Sequence, residues 1–165
     1  MAQVYISFGS NLGDRRAAIR AALTALPVAI AGRVLAVSRL YETAPWGVTD
    51  QPPFLNGVAL LDTPLAPLDL LAALKGLEAT AGRHAGPRWG PRPLDLDILL
   101  YDSLHLSTAT LTIPHPRLLD RRFVLQPLAD LWPPHRPLLG APLTDHLARV
   151  ADQAVVLSAE LLVAE

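Results

Sequence analysis

The period of hydrophobic and polar positions changes several times along the chain, and each change marks an element. Val4 to Phe8 is a short β-rich run closed by Gly9, and Ser10-Asn11-Leu12-Gly13-Asp14 supplies turn and helix-start chemistry before an Ala-rich helix to Leu26. Pro27 and Gly32 punctuate the next connection. Arg33 to Glu42 then alternates as a strand, with Val34, Ala36, Ser38 and Leu40 on one side and Leu35, Val37, Arg39 and Tyr41 on the other. Thr43 to Pro53 is too rich in Pro, Gly, Thr and Asp for regular structure and predicts a long loop. Phe54 to Asp62 is a third strand. Pro64 and Pro67 introduce a helix with an apolar stripe at Leu70, Leu74, Leu77 and Ala81, ended by Gly82. A second loop, Arg83 to Pro93, leads into a fourth strand from Leu94 to Tyr101.

The order βαββαβ predicts an α+β fold: a ferredoxin-like core, with an antiparallel sheet and its helices packed on it. C-terminal additions follow. They are a short strand at Leu111 to Ile113, a loop or helical turn from Pro114 to Arg122, a helical segment from Val124 to Leu131, a helix near Leu143 to Ala151 and a strand at Val155 to Val163. No internal repeat interrupts the order, and one domain spanning 1–165 is expected. A chain of 165 residues, 51% of them hydrophobic, buries about two thirds of its unfolded surface in such a domain.

Charge narrows the function classes. The net charge of −1 gives no basic excess with which to neutralise a run of phosphates, so bulk capture of nucleic acid or membrane is not expected. The absence of cysteine removes disulfides, thiolate metal sites and Cys nucleophiles together, and any metal must be held by oxygen or imidazole. With no basic leader and no apolar run near the ~18 residues of a membrane span, a cytoplasmic protein is expected.

The chemistry concentrates in RWGPRPLDLDILLYD, residues 88–102. Side chains alternate along a strand, so Asp95 and Asp97 share one face with Cα atoms about 6.5 Å apart, while Leu94, Leu96 and Ile98 face the other way into core. Two like charges side by side repel unless a cation lies between them, and an all-oxygen pair suits Mg²⁺. A bare Asp-x-Asp is more often than not a solvated face on an edge strand. Its neighbours argue for more: Arg83, Arg88 and Arg92 lie just upstream in a Gly- and Pro-stiffened loop with Trp89 between them, and forked cations beside paired carboxylates make a polyphosphate site.

Pro114-His115-Pro116-Arg117, followed by Arg121-Arg122-Phe123, adds further polar groups. His115 is a candidate phosphate donor or proton-transfer group, or a structural ring packed on prolines. The loop from Thr43 through Trp46 to Phe54 and Asn56 offers aromatic faces and an amide, the equipment for a planar heterocycle. The Gly-rich stretch Gly9 to Asp14 lacks both the P-loop and dinucleotide spacings, so turning and helix capping are its expected work, with Asn11 near the site edge.

In that order, YISFGSNLGDR, YETAPWGVTDQPPFLN, LEATAGR, RWGPRPLDLDILLYD and IPHPRLLDRRFVLQPL closely resemble the 6-hydroxymethyl-7,8-dihydropterin pyrophosphokinases of folate synthesis, over residues 4 to about 130. The resemblance implies transfer of the pyrophosphoryl group of ATP to the pterin hydroxymethyl group, with AMP released. It implies Asp95 and Asp97 as ligands of two Mg²⁺ ions, and Arg83, Arg92 and Asp97 as the catalytic set. ATP contacts are implied at Glu78, Arg88, Trp89, Ile98, Thr112, His115 and Arg121. The pterin is expected near Thr43, Pro45, Trp46, Phe54, Asn56 and Phe123, stacked between the two phenylalanines. A monomer using ATP and the pterin, without nucleic acid or membrane, is implied. Family members commonly carry a further basic residue before RWGPR where this chain has His84-Ala85-Gly86-Pro87, so weaker closure over ATP, or substitution by another arginine, is expected. Lys75 stands where the family often has an uncharged polar residue. Two other readings fit the residues: a ferredoxin-like binding module without turnover, and another Mg²⁺-dependent phosphotransferase that forms ADP.

Overall fold

The computed structural model describes residues 1–44, 50–82 and 93–159. Its principal sheet has the strand order β5-β1-β4-β3-β8, with β2 pairing beside β3 on β4. These strands are β1 (Ala2–Ser10), β2 (Arg33–Val37), β3 (Tyr41–Thr43), β4 (Phe54–Thr63), β5 (Asp95–Tyr101) and β8 (Val155–Leu157). All the pairings are antiparallel. A small ribbon joins β6 (Leu106–Ser107) to β7 (Thr112–Ile113). The βαββαβ expectation therefore holds, with β2 and β3 together in the place of the second strand.

Helices α1 (Arg15–Ala29) and α2 (Pro67–Thr80) cover one face. Their buried residues Ile19, Leu26, Leu70 and Leu74 join Val4, Ile6, Phe8, Leu55, Leu61, Leu94, Leu96 and Ile98 in one apolar cluster. Helix α3 (Arg122–Leu131), with α4 (Leu143–Arg149) behind it, covers part of the opposite face. There Val124, Leu125 and Leu128 pack on Tyr5, Val58, Leu99 and Leu100. A register shift between Tyr5 and Ile6 lets both Leu99 and Leu100 join this second cluster.

Three boundaries differ from the sequence reading. Helix α1 passes through Pro27 to Ala29, because proline in a last turn forfeits only one backbone bond. The strand expected over Arg33–Glu42 breaks at residues 38–40. Ser38 N–H still donates to Val58 O at 2.9 Å, but Ser38 Oγ accepts the Val58 N–H in place of a backbone carbonyl, also at 2.9 Å. Of the last strand expected over Val155–Val163, the described part is β8, which ends at Leu157 with the Ser158 N–H donating to Leu40 O at 2.9 Å, and residues 160–163 lie outside the described residues. Gly82, at φ +89°, follows α2 as a left-handed residue that favours glycine.

Candidate active site

The two aspartates lie where the alternation of β5 places them. Asp97 is paired with Ser7 and Asp95 with Gly9, and on the other side of β1 those residues meet Val58 and Asn56. Tyr41 is opposite Asn56, and Thr43 is opposite Phe54. Paired residues share a face, so Asp95, Asp97, Asn56, Phe54 and Thr43 all lie on the side away from α1 and α2. Helix α3 covers the Tyr5 end of that face and leaves the Gly9 end to the polar residues. Arg121, the residue preceding α3, and Phe123, in its first turn, stand at the border.

Asn56 is buried and donates through Nδ2 to Thr43 Oγ1 at 2.6 Å. Gly9 is required beneath it: a Cβ there would lie 2.5 Å from Asn56 Oδ1. Asn11 donates through Nδ2 to Gln51 Oε1 at 2.8 Å and Pro52 O at 3.0 Å, and Arg15 donates to Pro53 O at 3.2 Å. The turn after β1 thus holds the residues that lead into Phe54. Asp14 caps α1, its Oδ1 accepting the Ala17 N–H at 3.0 Å, which is the helix-start role expected of this stretch.

Burial, reinforced by the charge of Asp95, raises the Asp97 pKa to about 7, while Lys75 opposes the rise. This pair suits a hard divalent cation, which would remove the repulsion. Among the described residues no group of three or more His, Asp or Glu side chains gathers to hold a metal. A hard divalent cation such as Mg²⁺ usually takes one or two carboxylates and leaves its other positions to water and phosphate.

The His115 ring accepts the Arg117 backbone N–H through Nδ1 at 3.1 Å, and the His115 backbone N–H donates to Leu99 O at 2.9 Å. This bonding assigns the ring proton to Nε2. Burial and the positive charge of Arg121 lower its pKa to about 4, against the pull of Asp95 and with a further push from Arg117. At neutral pH it is an uncharged ring with an Nε2–H donor. Arg121 is buried, and its guanidinium carbon lies 5.5 Å from the Phe123 ring centroid.

Glu78 is only 2% exposed, and its Oε2 accepts the Leu96 N–H at 2.7 Å. Ile98 belongs to the core under α1 and α2, and Thr112 is exposed on β7. Thus Asp95, Asp97, Thr43, Phe54 and Asn56 share one face, and Phe123, Arg121 and His115 border it. Pro45, Trp46, Arg83, Arg88, Trp89 and Arg92 lie outside the described residues. Sequence reasoning missed Ser7 and Gly9, which share the face. Counting alternate positions back from Gly9 identifies them once β1 is known to pair with β5. It also missed Asp130, whose carboxylate accepts from Tyr41 Oη at 3.0 Å and Arg39 at 2.8 Å, tying β3 to α3. A groove of about 570 Å³ along α1, lined by Arg16, Ala17, Arg20 and Ala21 among others, lies with α1 on the opposite side of the sheet.

A family model described as 7,8-dihydro-6-hydroxymethylpterin-pyrophosphokinase matches residues 5–133. The chain belongs to that family. A 2-amino-4-hydroxy-6-hydroxymethyldihydropteridine pyrophosphokinase of Pseudomonas aeruginosa is 51% identical over 146 residues, covering 88% of this chain and 90% of that protein. A protein of the same description from Bacillus subtilis is 45% identical over 127 residues, 77% of this chain and 76% of its own. The pea folate synthesis bifunctional protein is 47% identical over 129 residues, 78% of this chain but 25% of its own length. A solved structure described as HPPK-DHPS in complex with substrates matches with a TM-score of 0.70 at 14% identity, over 92% of this chain and 43% of that one. At that identity it supports the fold alone, and the pyrophosphokinase fold is the one seen here.

Proposed function

We infer that this pyrophosphokinase transfers the pyrophosphoryl group of ATP to the hydroxymethyl group of 6-hydroxymethyl-7,8-dihydropterin, in folate biosynthesis. The observation that carries the inference is the placement of Asp95 and Asp97 on the sheet face that also presents Asn56, Thr43 and Phe54, in a chain 51% identical to a pyrophosphokinase. A polyphosphate end and a heterocycle end adjoin on one surface. The whole chain, 1–165, is proposed as one catalytic domain working as a cytoplasmic monomer, without nucleic acid or membrane. No helix among the described residues is long and apolar enough to cross a membrane.

In this reading the pterin ring lies between Phe54 and Phe123, with Asn56 at its edge, held in its rotamer by Thr43. Pro45 and Trp46 complete that pocket. The substrate hydroxyl attacks the β-phosphorus in line: its oxygen forms the new bond, the bond to the oxygen bridging the α- and β-phosphorus breaks, and AMP leaves with that oxygen while the hydroxyl proton is lost to solvent. Arg121 and the Nε2–H of His115 are the proposed donors to the phosphates, and Arg83, Arg88 and Arg92 are proposed as further cations for them. Trp89, Ile98, Thr112 and Glu78 complete the ATP surroundings.

Asp95 and Asp97 would hold two Mg²⁺ ions, which when bound screen the phosphate charge and acidify the attacking hydroxyl. The product identifies the reaction. AMP formed only with the pterin and Mg²⁺ together is the expected result. ADP would instead indicate a simple kinase, and binding without nucleotide breakdown a sensing module.

A further inference from the structure

Lys75 is the chain's single lysine among 14 basic residues. It lies on α2 one turn before Glu78, and its Nζ donates to Glu78 Oε1 at 3.1 Å. The Lys75 side chain is 48% exposed, whereas that of Glu78 is 3% exposed. The other oxygen of the same carboxylate accepts the Leu96 N–H at 2.7 Å. Among the described residues strand β5 is at the edge of the sheet, pairing on its inner side with β1 and with no strand on its outer side. Helix α2 supplies a partner there from a side chain. The bond it makes is at the residue between Asp95 and Asp97.

We propose that Lys75 and Glu78 form a positioning clamp that fixes the backbone between the two aspartates and so sets how they face a bound cation. Neither residue needs to touch the cation. Glu78 faces Leu96 from α2, and Lys75 lies on the solvent side of the carboxylate, holding it in the rotamer that reaches β5 and offsetting a third negative charge beside the pair. Removing one side of a buried ion pair weakens the hold on the other, so the Lys75 bond helps to keep the carboxylate on the Leu96 N–H. An edge strand held at this point keeps both aspartate Cα atoms in place before the cation arrives, which is preorganisation of the kind a metal site needs.

The test uses the full chain with Lys75→Met, Lys75→Arg, Glu78→Gln and the Lys75→Met, Glu78→Gln pair. Amide hydrogen exchange without Mg²⁺ reads the clamp directly. In Lys75→Met the Leu96 amide is expected to exchange about tenfold faster, while Ile6 and Leu61, in the middle of the sheet, keep their rates. The Mg²⁺ concentration giving half-maximal AMP formation is expected to rise about fivefold, with a smaller change in kcat at saturating Mg²⁺. Lys75→Arg should restore both. Glu78→Gln keeps an acceptor for Leu96 without a charge to offset, so adding Lys75→Met to it should change little.

An unchanged Leu96 rate, an equal acceleration at all three amides, or faster Leu96 exchange with an unchanged Mg²⁺ requirement would each overturn the clamp. So would Lys75→Arg behaving as Lys75→Met. The inference rests on the pyrophosphokinase reading only in its activity arm. A wild-type protein that forms no AMP refutes that reading while the exchange arm still decides the clamp.

Discussion

The two faces of the sheet use the same strands for opposite ends. Phe8 and Leu96 lie under α1 and α2 in an apolar layer closed to water. Their sequence neighbours Ser7, Gly9, Asp95 and Asp97 belong to the other face, only part of which is covered by α3. The closed face binds the helices to the sheet, and its residues are replaceable only by shapes of similar volume. The open face keeps a carboxylate pair whose burial and mutual repulsion raise the Asp97 pKa and so count against the charged, folded form. Stability and chemistry are thus separated by one residue along β5, so substitutions on adjacent residues should fail in different ways.

The largest expected effect is on the open face. Asp97→Asn should lower turnover by on the order of a thousandfold or more, through loss of a cation ligand. The same substitution should raise Tm at pH 8 in the absence of Mg²⁺, because it removes one of two repelling charges. Near-normal AMP formation would break the comparison at its centre.

Next comes the closed face. Leu96→Ala should cost about 2–5 kcal/mol in denaturant unfolding, through lost transfer energy and the cavity left behind. The KM values of the variant, measured well below its Tm, should stay near wild type. A variant that keeps its stability but loses turnover would show that the two faces are not independent.

Gly9→Ala sharpens the comparison within the open face, because the new Cβ would displace Asn56 Oδ1 and leave the aspartates alone. The pterin KM should rise about tenfold with the ATP KM little changed. Equal changes in both would indicate a shift of the whole β1 strand.

The smallest effect is a pH dependence. The unfolded chain protonates His115 near its ordinary value of 6.5, whereas the folded protein delays this to about 4. Between those values the unfolded state holds more protons, so the contribution of the neutral ring is full above pH 6.5 and is lost as the pH falls towards 4. Allowing for solvent screening of a partly buried ring, the loss is about 1 kcal/mol. Denaturation midpoints of wild type and His115→Gln across that window should diverge accordingly. Parallel curves would remove His115 from the account.

Much of this was legible locally. The alternation of Leu94, Asp95, Leu96 and Asp97 needs only the geometry of a strand to separate core from site, and the Pro67 and Gly82 boundaries of α2 follow from residues next to them. The rest depended on distant partners. Residue order does not disclose that Ser38 Oγ takes a ladder bond from Val58, or that Asp130 binds Arg39 and Tyr41 from 91 and 89 positions away. Glu78 illustrates the boundary between the two. Its place on α2 next to Leu77 of the apolar stripe is legible locally, but the Leu96 N–H that its carboxylate accepts lies on another element, 18 residues on.

The alternation of β5 also acts as a proofreading device during assembly. A slip of one residue against β1 would turn Leu94 and Leu96 outwards and push Asp95 and Asp97 among Phe8, Ile6 and Leu74, with two desolvated carboxylates added to lost apolar contacts. Misregistered sheets are thereby penalised twice, and the molecules that pass this check already carry their aspartates facing the open side. Quality control of the fold and readiness of the site are, in this strand, the same event.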